Sequence, residues 1–128
     1  MLFEGYRRGS REGCAVLESG QVLREAWING VREHSPGAHA AADVASWEEL
    51  PEWERDAANA VSDQVREFVA LGGTRKLTRV QKGQFVALCF LAQAHKHGSA
   101  RAADWDELAP WQREVDADVF EHIERIAR

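Results

Sequence analysis

Trp53 and Arg55 stand two positions apart, and the pair returns as Trp111 and Arg113. An indole beside a guanidinium offers a flat apolar wall with a fixed positive charge. That combination suits the stacking of a ring that carries an anionic group. Trp27 adds a further indole, so Trp27, Trp53, Arg55, Trp111 and Arg113 are the candidate ligand-binding residues. A structural reading competes with this one. Tryptophans at helical spacing fill a core and pass their indole N–H to a loop carbonyl, while the arginines pair with nearby carboxylates. Spacing favours the structural reading, because both tryptophans of each pair fall on an apolar helical stripe.

Other chemistry-bearing residues form weaker patterns. His34, His39, His95 and His97 fall near the ends of predicted helices, and His122 stands apart from them. They lack zinc-ligand spacing, and a histidine at a helix C-terminus is already favoured by the last carbonyls and the dipole. No metal site is expected. Acidic residues are dense at Glu48, Glu49, Glu52, Glu54, Asp106, Glu107, Asp116 and Asp118. Hydrolytic chemistry needs two carboxylates whose environments separate their pKa values, whereas most of these stand at helix starts, where negative charge is stabilised anyway. They read as a solvated face. No Gly-x-Ser-x-Gly nucleophile motif occurs. Gly72-Gly73-Thr74-Arg75-Lys76 lacks the spacing of a phosphate-binding loop. No catalytic residue and no cofactor is indicated.

The chain has 128 residues, a formal net charge of -5 and a hydrophobic fraction of 45%. That is enough for one core and one domain. The acidic balance argues against a general nucleic-acid binder, which needs a basic face to neutralise phosphates. Arg75, Lys76, Arg79 and Lys82 make only a short basic stretch, expected to be the solvated start of a helix. Cys14 and Cys89 form no CxxC motif, and Cys89 lies in the apolar run Phe85 to Ala92. It reads as a small buried hydrophobe in a reduced, cytoplasmic protein. No apolar stretch approaches membrane-spanning length, and the N-terminus shows no secretory hydrophobic core. Many Ala and Arg with few Lys point to a GC-rich bacterial genome.

The elements that would position these residues are written twice. Trp47-Glu48-Glu49-Leu50-Pro51-Glu52-Trp53-Glu54-Arg55 returns as Trp105-Asp106-Glu107-Leu108-Ala109-Pro110-Trp111-Gln112-Arg113, at an offset of 58. Four of the five tryptophans belong to this motif. Beyond it, Ala57, Val61, Val65 and Phe68 are matched by Val115, Val119, Ile123 and Ile126. Both series advance by the same steps of three and four, which makes one stripe on a helix facing a core. Ser46 with Glu49, and Asp104 with Glu107, have capping-box spacing. Pro51 and Pro110 then interrupt the hydrogen-bond ladder. The expectation is a single turn, a bend, and a long helix beginning near Pro51, with the second bend about one residue later.

A further helix precedes each motif. In the first unit Leu23, Ala26, Trp27, Gly30 and Val31 make its face, an extension of which would run back through Val16 and Gly20, and Ser35-Pro36-Gly37 stops it. In the second unit Thr78 caps a helix through Val80, Phe85, Leu88, Leu91 and Ala94. Its segment 85–92 is apolar on every side, so other helices or a second subunit should cover it. Gly72 suits the helix end at the joint between the units. The fold class is therefore all-α: two tandem, pseudo-repeated helical hairpins, about 19–71 and about 78–128, packed as a four-helix arrangement in one domain, 1–128.

The first unit also resembles the RyR-type repeat, a small helical module named from ryanodine receptors and found in bacterial proteins. Glu25-Ala26-Trp27 matches its first helix. Trp47-Glu48-Glu49-Leu50-Pro51, followed by Glu54-Arg55-Asp56, matches its entry into a charged second helix. Residues 21–70 are covered. The second unit matches through Asp104 to Arg113, with Phe85 or Phe90 in place of Trp27. Glu33-His34-Ser35-Pro36-Gly37 stands where the family has a glycine-aromatic segment. The resemblance implies a regulatory or ligand-sensing interaction module and not an enzyme. The expected function is thus a non-catalytic binding module, with a protein or a small anionic ring compound held between the two Trp-Pro turns. The alternative is an assembly protein that forms a homodimer through residues 85–92.

Overall fold

A computed structural model describes residues 18–37, 40–99 and 103–127. Among them are four α-helices and no strand: α1 (Ser19–His34), α2 (Glu52–Ala70), α3 (Arg79–Lys96) and α4 (Pro110–Ala127). Gly20 lies inside α1 and is buried; Val16, Cys14 and His39 lie outside the described residues. Local chemistry sets the helix starts. Thr78 Oγ1 accepts from the Gln81 N–H at 3.1 Å while the Gln81 side chain returns to the Thr78 N–H at 2.9 Å, so two donors left over at the start of α3 are satisfied reciprocally. At the other end of α2, Gly72 takes a φ of 88° and its N–H reaches the Val69 carbonyl at 3.0 Å, a left-handed exit that glycine accepts without strain.

The two motifs fold alike. Trp47–Glu49 and Trp105–Glu107 are single 3-10 turns, each opened by a capping box, with Ser46 and Glu49 in the first and Asp104 and Glu107 in the second. Each closes with a hydrogen bond of 3.2 Å, from the Leu50 N–H to the Trp47 carbonyl and from the Leu108 N–H to the Trp105 carbonyl. The second bend does not come a residue later. α2 starts at Glu52 and α4 at Pro110, equivalent positions of the repeat. Pro51 caps α2 from outside, whereas Pro110 occupies the first helical position, where its missing N–H would have had no partner.

α1 packs against α2 and α4, α3 packs against the same two helices, and α2 meets α4 across the centre. Leu23, Val61, Val65, Val86, Val119, Phe120 and Ile123 are buried in the shared core. Phe120 stands edge-on to Phe68 and Phe85 at centroid separations of 6.2 and 6.0 Å. Full burial of one such side chain contributes about 1.5–3 kcal/mol, so neither hairpin keeps that stabilisation without the other.

Two expectations need correction, and a third is met in part. Ile126, the last member of the second stripe, is 48% exposed, because α4 ends beyond the reach of its neighbours. Of the two coverings expected for residues 85–92, the other helices supply only one side, and the alternative of a second subunit is untouched by this: Val86, Ala87 and Cys89 are buried, but Leu88 is 64% exposed and Ala92 is also outside. Lys82 does not belong to a solvated helix start. It is buried, with Nζ 2.9 Å from Glu124 Oε1 and 3.4 Å from Glu121 Oε2. The buried Glu124 also accepts from Thr74 Oγ1 at 2.6 Å. Periodicity marks where a charge falls on its own helix, but not that a partner waits on another.

Candidate functional site

The first helix of each hairpin carries a glycine where a tryptophan ring leans on it. A Cβ added at Gly20 would fall 2.7 Å from Cη2 of Trp47, and one at Gly83 would fall 2.8 Å from Cη2 of Trp105. Trp47 and Trp105 are therefore wedges that hold each 3-10 turn against its own hairpin. The arginines complete the turns. Arg55 Nη1 donates to the Leu50 carbonyl at 2.6 Å. Arg113 Nε donates to the Trp105 carbonyl at 3.1 Å and Nη2 to the Asp106 carbonyl at 3.3 Å, and its guanidinium lies 5.2 Å from the Trp105 ring centre. Both cations are engaged by backbone carbonyls of the bend, and neither lines the cavity between the two turns.

Between the two turns the helices leave a cavity of about 320 Å³. Leu50 and Leu108, equivalent residues of the two motifs, both reach it. Trp27, Trp53 and Phe90 give it aromatic walls, and Ala57, Ala87 and Ala94 keep it open because they are small. Trp27 and Phe90 meet edge-to-face at 5.8 Å, and Trp53 tilts over the His97 ring at the same separation. Of the five sequence candidates, the structure brings Trp27 and Trp53 together here. Trp111 is half-buried but does not line the cavity, and Arg55 and Arg113 stand in the turns.

Among the described residues, three charged side chains line the cavity. Arg24, from α1, is already engaged: Nε donates to the Ala45 carbonyl at 3.0 Å and Nη2 to the Ala42 carbonyl at 3.1 Å, which fastens the loop before the first turn. Burial lowers its pKa, and the nearby carboxylates of Glu54 and Asp43 oppose that shift. Glu54, from α2, therefore balances Arg24. Asp116, from α4, is different. It is 4% exposed and faces the cavity, and among the described residues no hydrogen bond or ion pair reaches it. Desolvation alone pushes its carboxyl from 3.8 up to about 8. Gly30 helps to fix it there, since a Cβ at that position would stand 3.2 Å from Val115, the residue before Asp116.

Asp116 was expected on a solvated face, and the structure corrects that. One signal in the sequence pointed inward. Phe120 follows Asp116 by four positions, and an apolar residue on that row turns the row toward the core. Phe90, not among the candidate ligand-binding residues, was signalled only as one of two possible counterparts of Trp27 in the second unit. A second cluster lies elsewhere: ligand atoms of Glu33, His34 and Asp118 come within 4.8 Å of one another. Both oxygens of Asp118 are committed, Oδ2 to His34 Nε2 at 2.7 Å and Oδ1 to Arg79 Nη2 at 2.9 Å. Arg79 also pairs with Glu114 at 2.8 Å, so this edge is an ion-pair network that ties α1 and α3 to α4.

Comparison of the chain with family models, curated proteins and solved structures finds no match. No helix among the described residues is long and apolar enough to cross a membrane.

Proposed function

We propose that the protein is a non-catalytic helical module that binds a small molecule in the cavity between its two capped turns. The observation that carries this reading is the cavity itself. It is preformed, walled by aromatic and aliphatic side chains, and holds a buried carboxylate without a partner, the usual constitution of a ligand site. No histidine or cysteine among the described residues lines it, and its second carboxylate, Glu54, is balanced by Arg24. Among the described residues no activated nucleophile is assembled there. The resemblance of residues 21–70 to the RyR-type repeat supports the same regulatory or ligand-sensing class. A reducing, cytoplasmic bacterial setting goes with it, as do the buried Cys89 thiol and the acidic net charge, which disfavours nucleic acid.

A thermal-shift panel of small aromatic compounds, cationic, neutral and anionic, tests the reading. A ligand that binds only the native state raises the midpoint. Trp53→Ala should abolish the rise. Arg55→Ala should lower the midpoint of the free protein yet leave the ligand-induced rise in place, since Arg55 serves the turn. A panel in which no compound of any charge moves the midpoint overturns the proposal.

The outer face of α3 favours a second reading, assembly as a homodimer. Val80 is 56% exposed and Leu88 64% exposed, two turns apart on the same helix.

A further inference from the structure

We propose that the ligand of this cavity is an organic cation, a protonated amine carried on a compact aromatic body, with Asp116 as its counter-ion. The inference rests on the cavity being a ligand site and adds the chemistry of what enters it.

Four observations converge. Asp116 is buried, faces the cavity and has no partner among the described residues, and a buried carboxylate without a partner is costly until one arrives. Trp27, Trp53 and Phe90 supply aromatic walls to the same space, and the faces of such rings attract cations. The charges that face Asp116 from the other elements do not satisfy it. Arg24 of α1 is bound to the Ala42 and Ala45 carbonyls and is balanced by Glu54 of α2, while α3 presents only Ala87, Phe90 and Ala94. An anionic ring compound, the ligand expected from the Trp/Arg pairs, meets no free cation among the described lining residues, because Arg24 is bound to carbonyls and Arg55 and Arg113 are held in the turns.

The proton balance follows. Burial keeps Asp116 protonated up to about pH 8 in the empty cavity. The amine enters as an ammonium, the carboxyl ionises to meet it, and the released proton passes to solvent. Below that pH, amine affinity rises roughly tenfold per pH unit. It falls again only where the amine itself loses its proton, near pH 10 for an alkylammonium.

Calorimetric titration of the full chain at pH 6, 7 and 8 tests this with three probe classes: tryptamine and phenethylamine as amines, phenethyl alcohol as a neutral isostere, and 3-phenylpropionate as an anion. The amines should bind best and tighten with pH. Their binding heat should differ between two buffers of unlike ionisation enthalpy, by the amount for about one proton released at pH 6 and about half a proton at pH 8. That measurement needs no variant. Asp116→Asn should weaken amine binding by roughly tenfold or more while leaving the alcohol unchanged. If the alcohol or the acid binds as well as the amines, or no proton is released, the cation assignment is overturned and the cavity reading stands. If no probe of any class binds, both fall.

Discussion

A carboxyl group taken out of water without a partner is held in its neutral form, and the folded state bears the consequence. The unfolded chain releases the Asp116 proton near pH 4, whereas the folded chain keeps it up to about pH 8. Between those values the folded state binds one proton more, so this group lowers stability as pH rises, by about 1.4 kcal/mol per pH unit, and the loss levels off above the folded pKa. Asp116→Asn removes the titration at nearly constant shape. The difference in melting midpoint between variant and parent should widen in the variant's favour from pH 5 to pH 8. A difference that stays constant would mean that Asp116 is stabilised by a partner. The arginines behave in the opposite sense. Arg55 donates to the Leu50 carbonyl, partly shielded from solvent, so Arg55→Ala should cost about 1 kcal/mol in denaturant titration, the usual worth of a partly screened hydrogen bond.

The capped 3-10 turn wedged by a tryptophan is the element on which the site depends. It brings Leu50 and Leu108 to the cavity and fixes where α2 and α4 begin. Its partner is a bare stretch of helix at a glycine. Alanine there would gain helix propensity of about 1 kcal/mol. At Gly83, however, the new methyl would meet the Trp105 ring at 2.8 Å and the Arg113 carbonyl at 3.3 Å, neither of which moves freely. Overpacking of this kind costs about 1–3 kcal/mol, so Gly83→Ala should lower the unfolding midpoint despite its better propensity. Gly20→Ala should do the same, since its methyl would fall 2.7 Å from both the Asn59 backbone nitrogen and the Trp47 ring. A midpoint raised by either substitution would show that the indoles do not seat on those glycines.

At the scale of the whole molecule, each helix pair leaves half a core, and the two halves close on each other chiefly where α1 packs on α4, with α2 also meeting α3 and α4. The cavity belongs to that closure, because its walls come from all four helices. The outer face of α3 takes no part in it, so Leu88→Glu should leave the melting midpoint nearly unchanged. If the protein assembles as a homodimer through this face, light scattering coupled to size exclusion should show a dimer for the parent and a monomer for Leu88→Glu. A parent that elutes as a monomer at high concentration removes the assembly reading.

Local rules were readable along the chain because they depend on neighbours in sequence. The stripe Val61, Val65 and its twin Val115, Val119 follow from helical spacing. The capping boxes at Ser46 and Asp104 follow from residues three apart, and the stop at Ser35-Pro36-Gly37 from backbone restrictions. The repeat suggested a site between the two turns, but not which side chains line the cavity there. Whether Arg55 meets a ligand or the Leu50 carbonyl, whether Lys82 is solvated or joined to Glu124, and whether Asp116 faces water or three aromatic rings are matters of distance between helices. A charge on a helix surface is written in the sequence, but the dielectric around it, and the partner it finds or lacks, is set only when the other helices pack.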